Sequence, residues 1–254
     1  MTPLDDRGLT LGDGLFETVL ALDGVLVGVA AHLDRMAQGC AVLGLPMLDR
    51  GRAQAEMQAS LAGVGSHARV AVRLTLTAGS GGRGLDRLTS PSPRLFATAA
   101  PAPAPAGPAR LLVSTVRRNA ASPTSRLKSL SYLDNVLARR EASGGGCDEA
   151  VMLNAAGEVA CAAAANIFWL REGRIFTPAL ACGVLAGTMR ARVMAASAAA
   201  GVQVIETHGD LVELEAASAA FLTNALIGVR PVERVGTTAF DPSALVQRLA
   251  DAVA

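Results

Sequence analysis

Aromatic residues are scarce in this chain, with one Trp, one Tyr and six Phe in 254 residues, while 26 glycines and many alanines supply small side chains that let helices pack closely. No bias of charge exists: 23 basic residues face 22 acidic ones, and a net charge of +1 gives no reason to expect nucleic acid or an acidic membrane surface as partner. No apolar run of 18 or more residues free of charge occurs, which argues against a membrane-spanning helix. The first residues carry Asp5, Asp6 and Arg7 where a signal peptide would be apolar. The four cysteines (Cys40, Cys147, Cys161, Cys182) are scattered, with no CxxC and no histidine at metal-like spacing. They read as reduced thiols of a cytoplasmic protein, not as disulfides or a zinc site. The three histidines (His32, His67, His208) form no pair in sequence and suggest no role.

The scarcest residue is lysine. Lys128 stands alone beside 22 arginines. As solvated cations the two types serve alike, so a drift toward Arg costs nothing at the surface. They differ where chemistry needs a deprotonatable amine: guanidinium stays charged, whereas a buried ammonium can lose its proton and attack a carbonyl. Lys128 is therefore a candidate Schiff-base residue, with chance survival in a lysine-poor composition as the alternative.

A chain of this length forms one large domain or two modest ones. The clearest break is Pro101-Ala-Pro-Ala-Pro-Ala-Gly-Pro108, a semi-rigid spacer. It divides the chain into an N-terminal α/β domain, residues 1–105, and a C-terminal domain, residues 109–254. In the first, Leu15–Leu20 and Val25–Val29 read as strands joined by an Asp23-Gly24 hairpin turn. Helices follow over Ala30–Leu43 and Arg52–Ala62, then strands at Arg69–Thr77 and Arg94–Thr98 flank the glycine-rich stretch 79–84. In the second, strands are expected at Leu111–Val116, Glu149–Leu153, Asn166–Leu170, Arg174–Thr177, Val202–Glu206, 219–223 and 226–234. Helices are expected at Ser129–Ala142 (with Leu130, Leu133 and Leu137 at helical spacing), Gly187–Ala200 and Pro242–Val253. Strands and helices mix without regular βαβ alternation, which makes the fold class α+β.

Three further features suit a phosphorylated carbonyl cofactor. Leu185-Ala-Gly-Thr-Met-Arg190 enters a helix through a glycine, so its first amides and the helix dipole make an anion site. Asn224-Ala225 forms a turn between two strands, and Arg35 offers a charge-assisted partner. Singly, each also reads as a helix cap, a polar turn or a solvated helix face.

Together and in this order they resemble the class IV (fold-type IV) pyridoxal-phosphate enzymes: branched-chain aminotransferase, D-amino acid aminotransferase and 4-amino-4-deoxychorismate lyase. The resemblance runs from Gly12-Asp-Gly-Leu-Phe-Glu-Thr18 to Pro231. It implies a two-domain, D-amino acid aminotransferase-like fold whose C-terminal domain binds pyridoxal 5'-phosphate, and a homodimer whose active sites are completed by the partner. His32-Leu-Asp-Arg35 is similar to the helix whose Arg holds the cofactor phosphate, and Lys128-Ser-Leu-Ser-Tyr-Leu-Asp-Asn-Val-Leu137 to the segment opening on the cofactor lysine. Ala165-Asn-Ile-Phe-Trp169 resembles the strand crossing beneath the cofactor ring. Leu185–Arg190 resembles the phosphate-binding turn, with Thr188 and Met189 as holding amides. One position departs from the pattern. The family places a Glu against the pyridine nitrogen five residues before the Asn of this strand, and here that position is Cys161. Glu158 lies three residues further back, and an odd shift along a strand turns a side chain to the other face.

Within the family, Gly79-Ser-Gly-Gly-Arg-Gly84, Ala165–Trp169 and Asn224-Ala225-Leu226 resemble the lyase branch, which makes 4-aminobenzoate and pyruvate for folate synthesis. Lys128-Ser-Leu-Ser with Asn135-Val-Leu-Ala resembles D-amino acid aminotransferases about as well. A third reading is a degenerate, cofactor-fold binding protein that has lost its ring-nitrogen carboxylate. Arg73 and Arg83 are candidates to receive substrate carboxylates, with solvated surface arginines as the ordinary alternative.

Overall fold

The computed structural model describes residues 3–254, which divide into two compact units. The first contains the chain up to Ala104 together with Leu127–Ser131, and the second contains Pro105–Arg126 and Tyr132–Ala254.

The first unit is a four-stranded antiparallel sheet in the order β2-β1-β3-β4, built from β1 (Gly14–Leu22), β2 (Val25–Leu26), β3 (Arg69–Thr77) and β4 (Arg94–Pro101). Asp23 and Gly24, both at positive φ, make the β1–β2 turn. Helices α1 (Arg7–Leu11), α2 (Val29–Leu43) and α3 (Arg50–Ala62) accompany it. One sheet face is read directly from the register: Leu15 opposes Leu76, Val19 opposes Val72 and Ala21 opposes Val70. These residues join Leu33, Met36 and Met57 in one buried cluster. Each fully buried large side chain there contributes about 1.5–3 kcal/mol of hydrophobic stabilisation. Glu17 shares the parity of that face, opposite Leu74, and is itself buried.

The helix expected from Ser129 begins only at Leu133, as α4 (Leu133–Gly144). The preceding residues are extended because β1 needs them. Phe16 N donates to Lys128 O at 2.9 Å, Leu130 N donates to Gly14 O at 3.0 Å, and Leu15 bridges Ser129. Backbone groups spent on a strand edge cannot open a helix. The expected apolar stripe also fails: Leu133 and Leu137 are 67% and 40% exposed, while Asn135, Ala138 and Ala142 face inward.

The second unit is a nine-stranded mixed sheet: β5 (Ala109–Val113), β6 (Glu149–Leu153), β7 (Val159–Ala162), β8 (Asn166–Arg171), β9 (Arg174–Pro178), β10 (Val204–Thr207), β11 (Ala219–Asn224), β12 (Gly228–Val235) and β13 (Thr238–Ala239). The order is β10-β9-β8-β11-β12-β5-β6-β7, with β13 paired to β12. Helices α5 (Thr188–Ala199), α6 (Leu211–Glu215) and α7 (Ala244–Ala252) complete it. β7 is invisible to periodicity, since Val159-Ala-Cys-Ala162 is buried throughout and shows no alternation. Phe168 and Phe221, stacked with ring centroids 4.9 Å apart, lie in the cluster that holds Met189 and Val193 of α5 and Val246 and Leu249 of α7.

Candidate active site

In the first unit the structure brings Lys128, Arg35, Arg73, Glu17 and Phe16 together. The Lys128 ammonium lies 4.2 Å from the Phe16 ring centroid, and the Arg73 guanidinium lies over the same ring at 3.7 Å. Glu17 receives Arg35 through both oxygens, Nε to Oε1 at 2.7 Å and Nη2 to Oε2 at 2.5 Å, and its Oε2 also meets His32 Nδ1 at 2.7 Å. Burial pushes the Glu17 carboxyl up, but hydrogen bonds from His32 and Arg35 and their charge outweigh it, so Glu17 is held below the ordinary carboxylate range. Lys128 goes the other way. Burial pushes its pKa down to about 8; the Glu17 charge opposes this, and the Arg35 and Arg73 charges add to it. Sequence reasoning missed Glu17 and gave His32 no role. The available signal was a carboxylate at a core parity of an otherwise apolar strand.

Glu17 is thus a buried anion that Arg35 and His32 both bond. Glu17→Gln is expected to destabilise the protein by roughly 3–5 kcal/mol, because it leaves Arg35 without its charge partner. It should also lower the Lys128 pKa further, since the carboxylate favours the ammonium form. Urea unfolding measures the first effect and the pH midpoint of amine reactivity the second. An unchanged midpoint would show that Glu17 does not act on Lys128.

Arg83 sits exposed on the glycine-rich loop, and among the described residues no hydrogen bond or ion pair joins it to the Lys128 cluster. The loop is instead tied down by Arg7, which donates to Leu85 O at 2.8 Å and Asp86 O at 2.9 Å, and pairs through Nε with Asp13 at 2.9 Å.

In the second unit three segments converge. Asn166 begins β8 opposite Thr223 of β11, and its Nδ2 donates to Leu185 O at 3.0 Å, just ahead of α5. Asn224 donates to Ala164 O at 2.9 Å, while its Oδ1 accepts from the amides of Leu226 and Ile227, which shapes the turn that contains Ala225. Gly187 caps α5 without a side-chain hydrogen bond, so Thr188 and Met189 occupy the first helical positions of a 12-residue helix. A Cβ at Gly187 would collide with Asn166 Oδ1. Gly187→Ala is therefore expected to displace the Asn166 carboxamide, cost about 1–3 kcal/mol and weaken anion binding at this turn on the order of tenfold. Phosphate titration against wild type checks this, and equal affinity would exclude the turn as the anion site.

Cys161 is buried in an apolar cluster with Ala138, Ala142, Ala150, Met152 and Val184. Burial pushes its thiol pKa up, the Arg118 charge lowers it and the Glu149 charge raises it, with a net rise that keeps the thiol neutral. Arg118 is fixed by Gly183 O at 3.1 Å, Asn135 Oδ1 at 3.0 Å and Ser125 O at 2.5 Å, and Asn135 in turn donates to Ala163 O at 2.7 Å. The Glu158 carboxylate is held by Asn154 and His208.

These residues suit a phosphorylated aldehyde. The amine is depressed toward neutrality, and a helix N-terminus is framed by a carboxamide in a space only glycine allows. The Thr223 hydroxyl beside the turn at Asn224 is buried with no hydrogen-bond partner among the described residues.

The sequence profile of the family described as amino-transferase class IV matches residues 14–235. The aminodeoxychorismate lyase of Vibrio harveyi is 29% identical over 238 residues, 92% of this chain and 87% of that protein. A putative branched-chain-amino-acid aminotransferase of Methanocaldococcus jannaschii is 31% identical over 232 residues, 89% of this chain and 80% of that one. The solved 4-amino-4-deoxychorismate lyase of Pseudomonas aeruginosa matches with a TM-score of 0.91 at 30% identity, covering 99% of this chain and 93% of that chain. The fold is that of the fold-type IV enzymes. The chain belongs to the class IV aminotransferase family, whose cofactor is pyridoxal 5'-phosphate.

Proposed function

We propose that this protein is a cytoplasmic 4-amino-4-deoxychorismate lyase that releases pyruvate and leaves 4-aminobenzoate. The observation that carries this choice within the family is the neutral, buried thiol of Cys161 at the position where the family keeps a carboxylate against the ring nitrogen. Transamination stores a carbanion's electrons and depends on a protonated ring, whereas elimination passes the electrons onward to a departing oxygen. Loss of the carboxylate therefore harms the first reaction more than the second. Whole-length similarity to two lyases supports the same reading.

When bound, the cofactor supplies an aldehyde that captures an amine and draws electron density from it. Lys128 is the group that would carry it. The Thr188 and Met189 amides, the turn at Asn224 and Ala225, and Arg35 would hold its phosphate. Lys128 also moves the proton: as free amine it takes the ring C–H proton of the substrate, and as ammonium it returns that proton to the departing enolpyruvate. The ring–oxygen bond breaks as the aromatic ring forms. Arg73, beside Lys128 on Phe16, is placed to receive a substrate carboxylate. Arg83 is the other candidate, on the exposed loop. The protein works as a homodimer in this reading, which light scattering of the purified chain checks.

An aminotransferase on a D- or branched-chain amino acid is the second reading, supported by the archaeal relative. Parallel assays decide: aminodeoxychorismate in one, amino acid plus 2-oxoglutarate in the other. Aminobenzoate with little glutamate is the expected result. Glutamate without aminobenzoate would overturn the lyase, and neither product, with no cofactor captured, would leave a binding protein.

A further inference from the structure

Away from the residues discussed for the cofactor, three potential metal ligands meet at one point. Glu158 leads into β7, Cys182 closes the short 3-10 turn Leu180–Cys182, and His208 follows β10 directly. His208 Nδ1 lies 3.0 Å from Glu158 Oε1 and 3.6 Å from Cys182 Sγ, and the three ligand atoms all lie within 4.8 Å of one another. The residues are 26 and 50 positions apart, which is why spacing along the chain gives no hint of them.

We propose that Glu158, Cys182 and His208 form a binding site for a thiophilic divalent metal ion of the zinc class, with a fourth position open to water. Both short contacts of the imidazole use the same nitrogen. In a proton relay the ring would join its two partners through opposite nitrogens. Without an ion, the thiol and the imidazole both turn to the Glu158 carboxylate, and an ion at the same point would replace those two hydrogen bonds with bonds to sulfur, nitrogen and oxygen. Convergence of sulfur, nitrogen and oxygen on one centre is what a metal demands. Arms of about 2.3 Å to sulfur and 2.0–2.1 Å to nitrogen and oxygen, at tetrahedral angles, place S and N about 3.5 Å apart and N and O about 3.4 Å apart. The observed S···N separation already matches, and the N···O pair must open by a few tenths of an ångström.

The scaffold is set before any ion arrives. Val159 N donates to Gly209 O at 2.8 Å, and Glu158 bridges Asp210, which locks the Glu158 and His208 backbones side by side. Ala179 N donates to Thr207 O at 2.9 Å and fixes the cysteine turn against the end of β10. Asn154 Nδ2 donates to Glu158 Oε2 at 2.6 Å, leaving Oε1 to face His208, as a supporting residue orients a ligating carboxylate. Cys182 is buried and His208 exposed, so the sulfur forms the floor and the ion enters past the imidazole. On binding, the Cys182 S–H bond breaks, a metal–sulfur bond forms and one proton leaves to solvent. An ion here would tie β7, the cysteine turn and the end of β10 into one clamp.

Co2+ titration of the full-length, chelator-treated protein tests the proposal, because a thiolate ligand gives Co2+ a sulfur charge-transfer band. The expected result is one Co2+ per chain with that band, displaced by Zn2+, and a rise in thermal midpoint with Zn2+. Cys182→Ser should abolish the band, His208→Ala should weaken binding at least 100-fold, and Asn154→Ala should weaken it about 10–100-fold. Lys128→Ala, outside the cluster, should leave the titration unchanged. No charge-transfer band, or a band that survives Cys182→Ser, would overturn the site.

Discussion

Lys128→Ala is expected to abolish covalent capture of pyridoxal phosphate and to reduce turnover by about 10⁴-fold or more, since one substitution removes both the attachment point and the proton-transfer group. Lys128→Arg should fail equally, because guanidinium keeps the charge and cannot give up its proton. Lys128 differs from a surface lysine in its pKa of about 8, set by burial and by the Arg35 and Arg73 charges against the pull of Glu17. Relative to the ordinary value of 10.5, that raises the free-amine fraction near neutrality roughly 300-fold. The rate of cofactor capture should therefore rise with pH through a midpoint near 8 and then level off. Borohydride trapping followed by peptide mass spectrometry locates the adduct. An adduct elsewhere, or a midpoint near 10, would refute the assignment.

Much of this was legible in the chain. The strand Arg69–Thr77 alternates strictly and is found with those bounds, and α2 begins one residue before its expected start. Motifs were legible where they depend on local backbone: Gly187 ahead of a helix and Asn224 in a turn between strands need nothing from elsewhere in the chain. What could not be read depends on long-range pairing. Residues 127–131 look helical by leucine spacing, yet the edge of β1 takes their backbone hydrogen bonds. The buried side of α4 is set by Asn135, which is engaged by Arg118 and Ala163, and not by the leucines. Glu17 pairs with residues 15 and 18 positions away, and Cys182 with one 26 positions away. No period or spacing rule reports such contacts. The tertiary environment alone turns an ordinary Glu or Cys into a site.

Cys161→Glu should move the two candidate reactions apart. An opposite charge within about 4–6 Å shifts a pKa by roughly 1–3 units, so a carboxylate at 161 should raise the protonated fraction of a ring nitrogen beside it by about 10–10³-fold. The transamination half-reaction should gain at least several-fold and up to that range, while lyase turnover changes only a few-fold. The same substitution has a cost in the protein alone. Position 161 is packed by Ala138, Ala150, Met152 and Val184, so a longer, ionisable side chain there should destabilise the cofactor-free chain by about 1–3 kcal/mol. Arg118, whose charge already acts on this site, limits that loss. Cofactor binding should then restore more stability to the variant than to wild type, because the new carboxylate gains its partner only in the loaded protein. Unfolding with and without pyridoxal phosphate, beside single-turnover transamination, reads both halves. A variant that loses stability alike in both states, with no gain in the half-reaction, would mean that position 161 does not meet the ring nitrogen. The choice of lyase would then rest on similarity alone.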